Sequence, residues 1–172
     1  TYDGYTYVVD TGGTFQTPLG RNTGTYDVLP YLQKEGISKI DGLFITHMDK
    51  DHCLGAIELF DQIEIGGIYI SNYAFEKTPL SETFFKNANK YHIPIYTIET
   101  GENAQLGQNM FLEVVYPYKK MMFFDTDDNH GSLVLHITSG NTSFLLTGDA
   151  GAIDEKIILD HRSDHIKSTI LK

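Results

Sequence analysis

The chain has 172 residues, with 41% hydrophobic and 21% charged side chains and a formal net charge of −10. This composition excludes a disordered chain, and no apolar run approaches the ~18 residues that a membrane-spanning helix needs. The single cysteine excludes an internal disulfide. The acidic balance argues against autonomous nucleic-acid binding, which normally uses a basic face, and suits a site that concentrates divalent cations.

Strands and helices are predicted to alternate in the first half of the chain. Apolar runs between turn residues predict strands over 5–10, 42–46, 67–71 and 94–98. Amphipathic stretches predict helices over 26–35, 54–62 and 81–91, and glycines with polar residues predict a surface loop over 14–24. This alternation predicts helices packed on a sheet.

The second half is predicted to be richer in strands. Strands are predicted over 110–116, 132–138, 142–146 and 168–171, with a hairpin turn at 139–141 and a helix at 151–159. The two halves together predict one domain over 1–172, a sandwich of two sheets flanked by helices. The chain begins almost directly on one strand and ends within another, so we interpret it as a fragment truncated at both ends.

Four potential metal ligands lie within six residues, after the apolar segment 42–46 and before a predicted helix. They are His47, Asp49, Asp51 and His52. A strand that ends in such side chains and leads into a helix is a common way for α/β enzymes to build an active site. The spacing lets the first two residues point towards one ion and the last two towards a neighbouring ion, which favours a binuclear centre. A solvated polar turn is the alternative interpretation.

Two further aspartates follow predicted strands. Asp149 comes after strand 142–146, and Gly148 before it allows a close approach of the backbone. We interpret Asp149 as a ligand that bridges two ions, and the N-cap of the next helix is the alternative. Asp10 follows the first strand and is expected to orient the ligand loop through hydrogen bonds, with a simple turn aspartate as the alternative.

The remaining candidates carry weaker signals. Segment 127–130 is a possible source of one further ligand, although a solvated loop is the simpler interpretation. Cys53 follows His52 directly, and we interpret it as a small buried residue that opens a helix rather than as a thiolate ligand. Four histidines have no partner at ligand spacing and receive no role: His92, His136, His161 and His165.

These motifs together resemble the metallo-β-lactamase superfamily, whose signature is a strand followed by His-x-His-x-Asp-His. In this chain Asp49 stands at the position of the second histidine. Further segments resemble one branch, the C-terminal hydrolase-like domain of ComEC-type DNA-internalisation competence proteins, in which this aspartate is usual. The segments that carry this resemblance are 9–13, 29–32, 36–37, 45–47, 131–135 and 146–149.

The resemblance implies an αββα four-layer sandwich and a hydrolase that uses two divalent ions, manganese or zinc. It implies that His47 and Asp49 bind one ion, that Asp51 and His52 bind the other, and that Asp149 bridges them. Asp51 is also the expected catalytic residue. A His-His-Gly-Ser turn of the superfamily falls beyond the last residue of this chain, so the metal centre is predicted to be incomplete and poorly occupied.

The same resemblance implies a nuclease that acts on DNA during uptake. It would be attached to a membrane channel formed by the same polypeptide, on the outer side of the membrane, and a cytoplasmic position is the alternative. Two other functions stay open: a stand-alone phosphoesterase for a small or cell-wall substrate, and a catalytically silent scaffold or single-stranded-DNA-binding module. Metal uptake separates the enzymatic functions from the silent one.

Overall fold

A computed structural model describes residues 3–13, 23–72, 77–118, 131–162 and 166–172 of the protein. The first half alternates strands and helices, as predicted. In chain order its elements are β1 (Tyr7–Val9), a π-helix (Gly24–Val28), α1 (Leu29–Lys34), β2 (Lys39–Ile40), β3 (Gly42–Ile45), α2 (Lys50–Leu59), β4 (Glu64–Ile65), β5 (Ile68–Ser71), α3 (Pro79–Lys90) and β6 (Ile95–Ile98).

The second half is mainly strand. Its elements are β7 (Asn103–Gln105), β8 (Met110–Tyr116), β9 (Val134–Ser139), β10 (Thr142–Leu146), α4 (Ala152–Arg162) and β11 (Ile170–Leu171). The predicted hairpin joins β9 to β10, which pair in antiparallel fashion. Gly140 in its turn has a φ of 57°, a conformation that glycine adopts without steric cost.

The first sheet is parallel, with the strand order β1-β3-β5-β6. All four residues of β3 are buried. Leu43 and Ile45 pack into the core shared with α2 and α3, while Phe44 packs into the core between the two sheets. Because β3 is covered on both faces, its sequence is a continuous apolar run rather than an alternating one.

The second sheet has the order β11-β10-β9-β8-β7, antiparallel except for the parallel pair of β10 and β11. One face packs against the first sheet through Leu112, Val114, Leu133 and Leu135. A separate core contains Ile158 of α4 and the sheet residues Val115, Tyr116, Val134 and Leu145. Helices α2 and α3, the two sheets and α4 thus form the predicted αββα sandwich.

Several boundaries differ from the prediction. Helix α2 begins at Lys50 instead of residue 54, because the extended backbone ends at Asp49, with φ −81° and ψ 153°. The two-residue strands β2 and β4 and the polar strand β7 were not predicted. Residues 14–22 of the predicted loop lie outside the described residues. Among the described residues, no helix has the length and apolar character needed to cross a membrane.

Candidate metal centre

The candidate ligands lie where the two sheets meet, beyond the carboxyl ends of three strands. Asp10 follows β1 and His47 follows β3, and these neighbouring parallel strands end at the same edge of the first sheet. Asp149 follows β10 of the second sheet. The backbone N–H of Leu133 donates to the carbonyl of Thr46 at 2.9 Å, which joins the two halves beside these ends.

His47 is the most deeply buried of the candidate ligands, with none of its side chain exposed. Its Nε2 is buried and has no hydrogen-bond partner among the described residues. This atom lies 3.8 Å from Asp49 Oδ2 and 3.9 Å from Asp149 Oδ2. Burial lowers the pKa of His47, and the nearby His52 lowers it further. A neutral imidazole with a lone pair directed at carboxylates is suited to a metal ion.

His52 lies in the first turn of α2 and contacts two carboxylates. Its Nδ1 is 2.8 Å from Asp10 Oδ2, and its Nε2 is 3.2 Å from Asp149 Oδ1. The hydrogen bond with Asp10 raises the pKa of His52 despite partial burial. When the ring is protonated, Nδ1 donates to Asp10 and the charged Nε2–H lies in ion-pair range of Asp149. A metal ion has to displace the proton from Nε2 before this histidine can bind it.

Thr46 connects the two histidines through its hydroxyl group. Asp10 accepts hydrogen bonds from the backbone N–H of Thr46 at 2.9 Å and from its Oγ1 at 2.8 Å. The hydroxyl has one hydrogen, which goes to Asp10, so Oγ1 accepts from His47 Nδ1 at 3.0 Å. Asp10 likewise accepts from His52 Nδ1. Both imidazoles thus carry hydrogen on Nδ1, and both direct Nε2 towards Asp149.

The turn after Asp10 holds the first residues of α2 in place. The backbone N–H of Thr11 donates to the carbonyl of His52 at 2.9 Å, and that of Gly55 donates to the carbonyl of Gly12 at 2.9 Å. A Cβ on Gly13 would lie 2.0 Å from the carbonyl oxygen of Lys50. Only glycine fits this contact, which explains the small-residue turn in the sequence.

Asp149 reaches the histidines because the chain before it turns closely over β3. Gly148 has a φ of 54°, and a Cβ there would lie 2.9 Å from Thr46 Cβ. The ligand atoms of His47, His52 and Asp149 lie within 4.8 Å of one another. Within the described residues Asp149 makes no capping hydrogen bond to α4. Asp154 takes that role by accepting from the backbone N–H of Gly151 at 2.9 Å.

Asp49 and Asp51 flank the histidines on the solvent side. The Asp49 side chain is 50% exposed and makes no capping hydrogen bond, although the residue occupies the N-cap position of α2. The Asp51 side chain is 63% exposed, and its Oδ2 lies 3.8 Å from His52 Nε2. Each exposed carboxylate therefore lies beside a different imidazole.

This arrangement fits a divalent metal ion. The buried, unpartnered Nε2 of His47 would be costly in a purely structural site, and a metal ion would satisfy it. Two imidazole nitrogens with several carboxylate oxygens form a mixed donor set, which manganese, iron and zinc accept. Asp10 contacts His52 Nδ1 in the way that an outer carboxylate orients a metal-binding histidine.

The comparison with protein families agrees with this chemistry: the family model of the metallo-beta-lactamase superfamily matches residues 1–170. The chain belongs to the metallo-beta-lactamase superfamily. A crystal structure from Thermotoga maritima, described as a metallo-beta-lactamase, matches 99% of this chain and 84% of its own length, with a TM-score of 0.61 and 14% identity. That likeness supports the fold alone. Superfamily membership implies divalent metal ions at the centre described above.

The curated relatives of this metallo-beta-lactamase domain are competence proteins and a recombination protein. ComE operon protein 3 of Bacillus subtilis is 27% identical over 175 residues, which cover 96% of this chain and 22% of that protein. Recombination protein 2 of Haemophilus influenzae is 28% identical over 151 residues, which cover 86% of this chain and 16% of that protein. Competence protein ComA of Neisseria gonorrhoeae is 24% identical over 144 residues, which cover 84% of this chain and 18% of that protein. The predicted resemblance to ComEC-type competence proteins is confirmed, and the chain spans about a fifth of these relatives' length.

The structure brings the predicted residues together at this place, and two neighbours, Thr46 and Ser132, were not singled out from the sequence. Ser132 is fully buried beside Gly148, and its hydroxyl has no hydrogen-bond partner in the part of the chain that the structure describes. Nothing in the sequence marks either residue as functional, because a single hydroxyl side chain at the end of a strand is common. Cys53 is buried, as expected, and burial raises its pKa to about 12. Segment 127–130 and His165 lie outside the described residues.

Proposed function

We propose that this domain is a divalent-metal-dependent phosphodiesterase that cleaves DNA during natural competence. One observation carries the proposal. The two oxygens of Asp149 face different imidazoles, with Oδ1 3.2 Å from His52 Nε2 and Oδ2 3.9 Å from His47 Nε2. A carboxylate placed in this way is suited to bridging two ions.

The two exposed carboxylates also lie beside different histidines, which gives two sets of ligands. Asp49 lies 3.8 Å from His47 Nε2, and Asp51 lies 3.8 Å from His52 Nε2. We assign one ion to His47 and Asp49 and the other to His52 and Asp51, with Asp149 shared. The bound ions would supply Lewis-acid polarisation of a phosphoryl oxygen and make water a stronger nucleophile at neutral pH.

The protein's own groups prepare this site for a phosphodiester. Asp10 and Thr46 fix the hydrogen on Nδ1 of both histidines and leave both Nε2 atoms directed inward. Asp51 is the more exposed of the two flanking carboxylates, and we assign it the role of accepting a proton from the attacking water. The carboxylate of Asp49 replaces a softer imidazole, which favours manganese over zinc.

DNA as the substrate, and a position in the uptake machinery, are supported by the names of the relatives. The domain's charge of −10 repels a polyanion, so we propose that the rest of a longer polypeptide delivers the DNA. We further propose that this remainder forms a membrane channel and holds the domain on its outer side. Protease treatment of intact cells that produce the tagged full-length protein tests this position, because a domain on the cytoplasmic side stays protected.

Metal content and substrate choice test the proposed activity. We expect the domain within its full-length protein to bind two manganese ions per chain and to cleave linear DNA. Asp149→Asn, which keeps the shape of the side chain, should lose at least one ion and the activity, while Glu155→Gln on the exposed first turn of α4 should change neither. Wild-type protein that binds no metal would overturn the enzymatic proposal.

The strongly acidic composition favours a second candidate, a phosphoesterase for a small or cell-wall substrate. The two candidates share the metal centre and differ in the substrate. If the metal-loaded protein cleaves a bis-aryl phosphodiester but leaves single- and double-stranded DNA intact, the second candidate replaces the nuclease.

A further inference from the structure

A cavity lies between the two sheets and extends to the amino end of β3. It has a volume of about 450 Å³, within the ~300–1,000 Å³ typical of small-molecule sites. Asp41 lines it and directly precedes β3, whereas His47 follows β3. Asp41 and His47 are six positions apart, which at a rise of ~3.3 Å per residue corresponds to ~20 Å.

Aromatic rings from neighbouring strands form one wall of this cavity. Phe44 of β3 stacks on Tyr69 of β5, with ring centroids 4.9 Å apart and an interplanar angle of 21°. Tyr7 of β1 lies beside Phe44 at 6.5 Å. Leu112 and Val114 of β8 form part of the opposite wall. The body of a ligand here would therefore contact apolar and aromatic surface on both sides.

Two amide side chains line the cavity, and each is held by one hydrogen bond to a nearby carbonyl. Asn103 Nδ2 donates to the carbonyl of Gly101 at 2.9 Å, and Gln105 Nε2 donates to the carbonyl of Gln108 at 3.2 Å. Each amide nitrogen uses one of its two hydrogens in this bond, and each amide oxygen is left as an acceptor.

Two carboxylates at the cavity provide further hydrogen-bond acceptors. Asp41 Oδ2 accepts from the backbone N–H of Thr6 at 2.8 Å, and Glu102 Oε2 accepts from that of Glu99 at 3.1 Å. The second oxygen of Asp41 forms an ion pair with Lys39 Nζ at 3.7 Å, whereas Glu102 has no ion pair among the described residues. Among the described residues, no lysine or arginine lines the cavity.

The hydroxyl groups of Tyr7 and Tyr69 are the remaining polar groups of the aromatic wall. Neither makes a hydrogen bond within the part of the chain that the structure describes. Burial raises the pKa of both phenols, so both are neutral at physiological pH. The cavity thus presents two carboxylates, of which only Asp41 has a cationic partner among the described residues, and this negative charge disfavours an anionic ligand such as a nucleotide.

We propose that this cavity binds a small organic amine, with its ammonium group at Asp41 and Glu102 and its aromatic or alkyl body between Tyr69 and Leu112. The ammonium group supplies the hydrogen bonds that the carboxylates and amide oxygens lack. This site is independent of the metal centre and of the function proposed for it.

Tryptamine is a suitable probe, because the chain contains no tryptophan and the indole emission of the probe is then distinct. We expect saturable binding of one tryptamine per chain by fluorescence anisotropy, with shifts of the Tyr7 and Tyr69 ring signals in NMR spectra. Indole-3-acetate, the anionic counterpart, should bind at least ~10-fold more weakly, since a charge-assisted hydrogen bond contributes about 1.5–3 kcal/mol.

Asp41→Asn tests the assigned carboxylate while preserving the fold, because the asparagine oxygen can still accept from Thr6. We expect this variant to bind tryptamine ~10-fold more weakly for the same reason. Glu155→Gln, which removes one exposed charge far along the chain on α4, should leave the affinity unchanged. Asp149→Asn and chelation should also leave it unchanged.

Three results would overturn this proposal. They are the absence of saturable tryptamine binding, equal binding of indole-3-acetate, and an equal loss of affinity in Asp41→Asn and Glu155→Gln. The last result would assign the binding to the net charge of the protein rather than to the cavity.

Discussion

Asp10 and His52 are 42 positions apart in the sequence, yet Oδ2 of the first lies 2.8 Å from Nδ1 of the second. This contact orients an imidazole on α2 from the end of β1. It also stabilises the protonated ring, so the pKa of His52 is raised above 6.5. The contact therefore links the fold, the protonation state and the metal affinity of the centre.

Replacing Asp10 by asparagine should lower the pKa of His52. In the wild-type metal-free protein the protonated ring stabilises the fold fully below pH 6.5, and this contribution is lost as the pH rises through the higher folded-state pKa. The free energy of unfolding of Asp10→Asn should therefore fall most below pH 6.5 and least at alkaline pH. NMR titration of the His52 ring measures its pKa. Urea unfolding below pH 6.5 and at alkaline pH measures the free energy of unfolding. An unchanged His52 pKa would contradict the prediction.

Replacing Thr46 by valine should weaken metal binding without removing any ligand. The valine side chain has the shape of threonine but no hydroxyl, so His47 Nδ1 and Asp10 each lose a partner. We expect manganese affinity to fall ~10–100-fold, as is typical when a group that orients a ligand is lost. Titration calorimetry measures it, and Thr46→Ser, which keeps the hydroxyl, should stay near wild type. Equal affinities for the two variants would remove Thr46 from the centre.

Replacing Gly148 by alanine should damage both stability and metal binding. The new Cβ would lie 2.9 Å from Thr46 Cβ, at a residue with a φ of 54°. Gly140→Ala is a matched control, because its φ is 57° and nothing lies within 4 Å of a Cβ there. The control should lose about 1–2 kcal/mol from backbone conformation alone and keep its metal affinity. Gly148→Ala should lose more and bind manganese more weakly, and identical behaviour of the two variants would refute the close contact.

Cys53 should be chemically silent in the folded protein. The thiol is buried, and burial raises its pKa to about 12, so almost no thiolate forms at neutral pH. Reaction with a thiol-specific chromogenic disulfide should wait for unfolding and report one thiol per chain in denaturant. Rapid reaction of the native protein would show that the helix opens locally.

The order of strands and helices was predictable because their apolar patterns are strong. β3 is a continuous apolar run, and the turn at Gly140 has clear chemistry. Strand β7 was missed because its three residues are polar and exposed, so only pairing with β8 makes it a strand. The start of α2 was missed because Lys50 and Asp51 carry no apolar signal, and their helical state depends on the turn that packs against them.

At the candidate metal centre, the clustering of residues was predictable from their spacing, but their orientation was not. The sequence places His47 beside Thr46 without indicating that one hydroxyl group sets the protonation of an imidazole. Nor does it indicate that the oxygens of Asp149 face different histidines. Such relationships depend on distances across two sheets, which no local pattern encodes.

The histidines stand on the first sheet and its helix, whereas Asp149 stands on the second sheet. An ion bound by both groups would cross-link the two sheets, and its binding free energy would oppose their separation. The thermal midpoint should then rise with the free manganese concentration. Scarcity of the ion would shorten the lifetime of the protein as well as slow its reaction, because unfolded chains are removed in the cell.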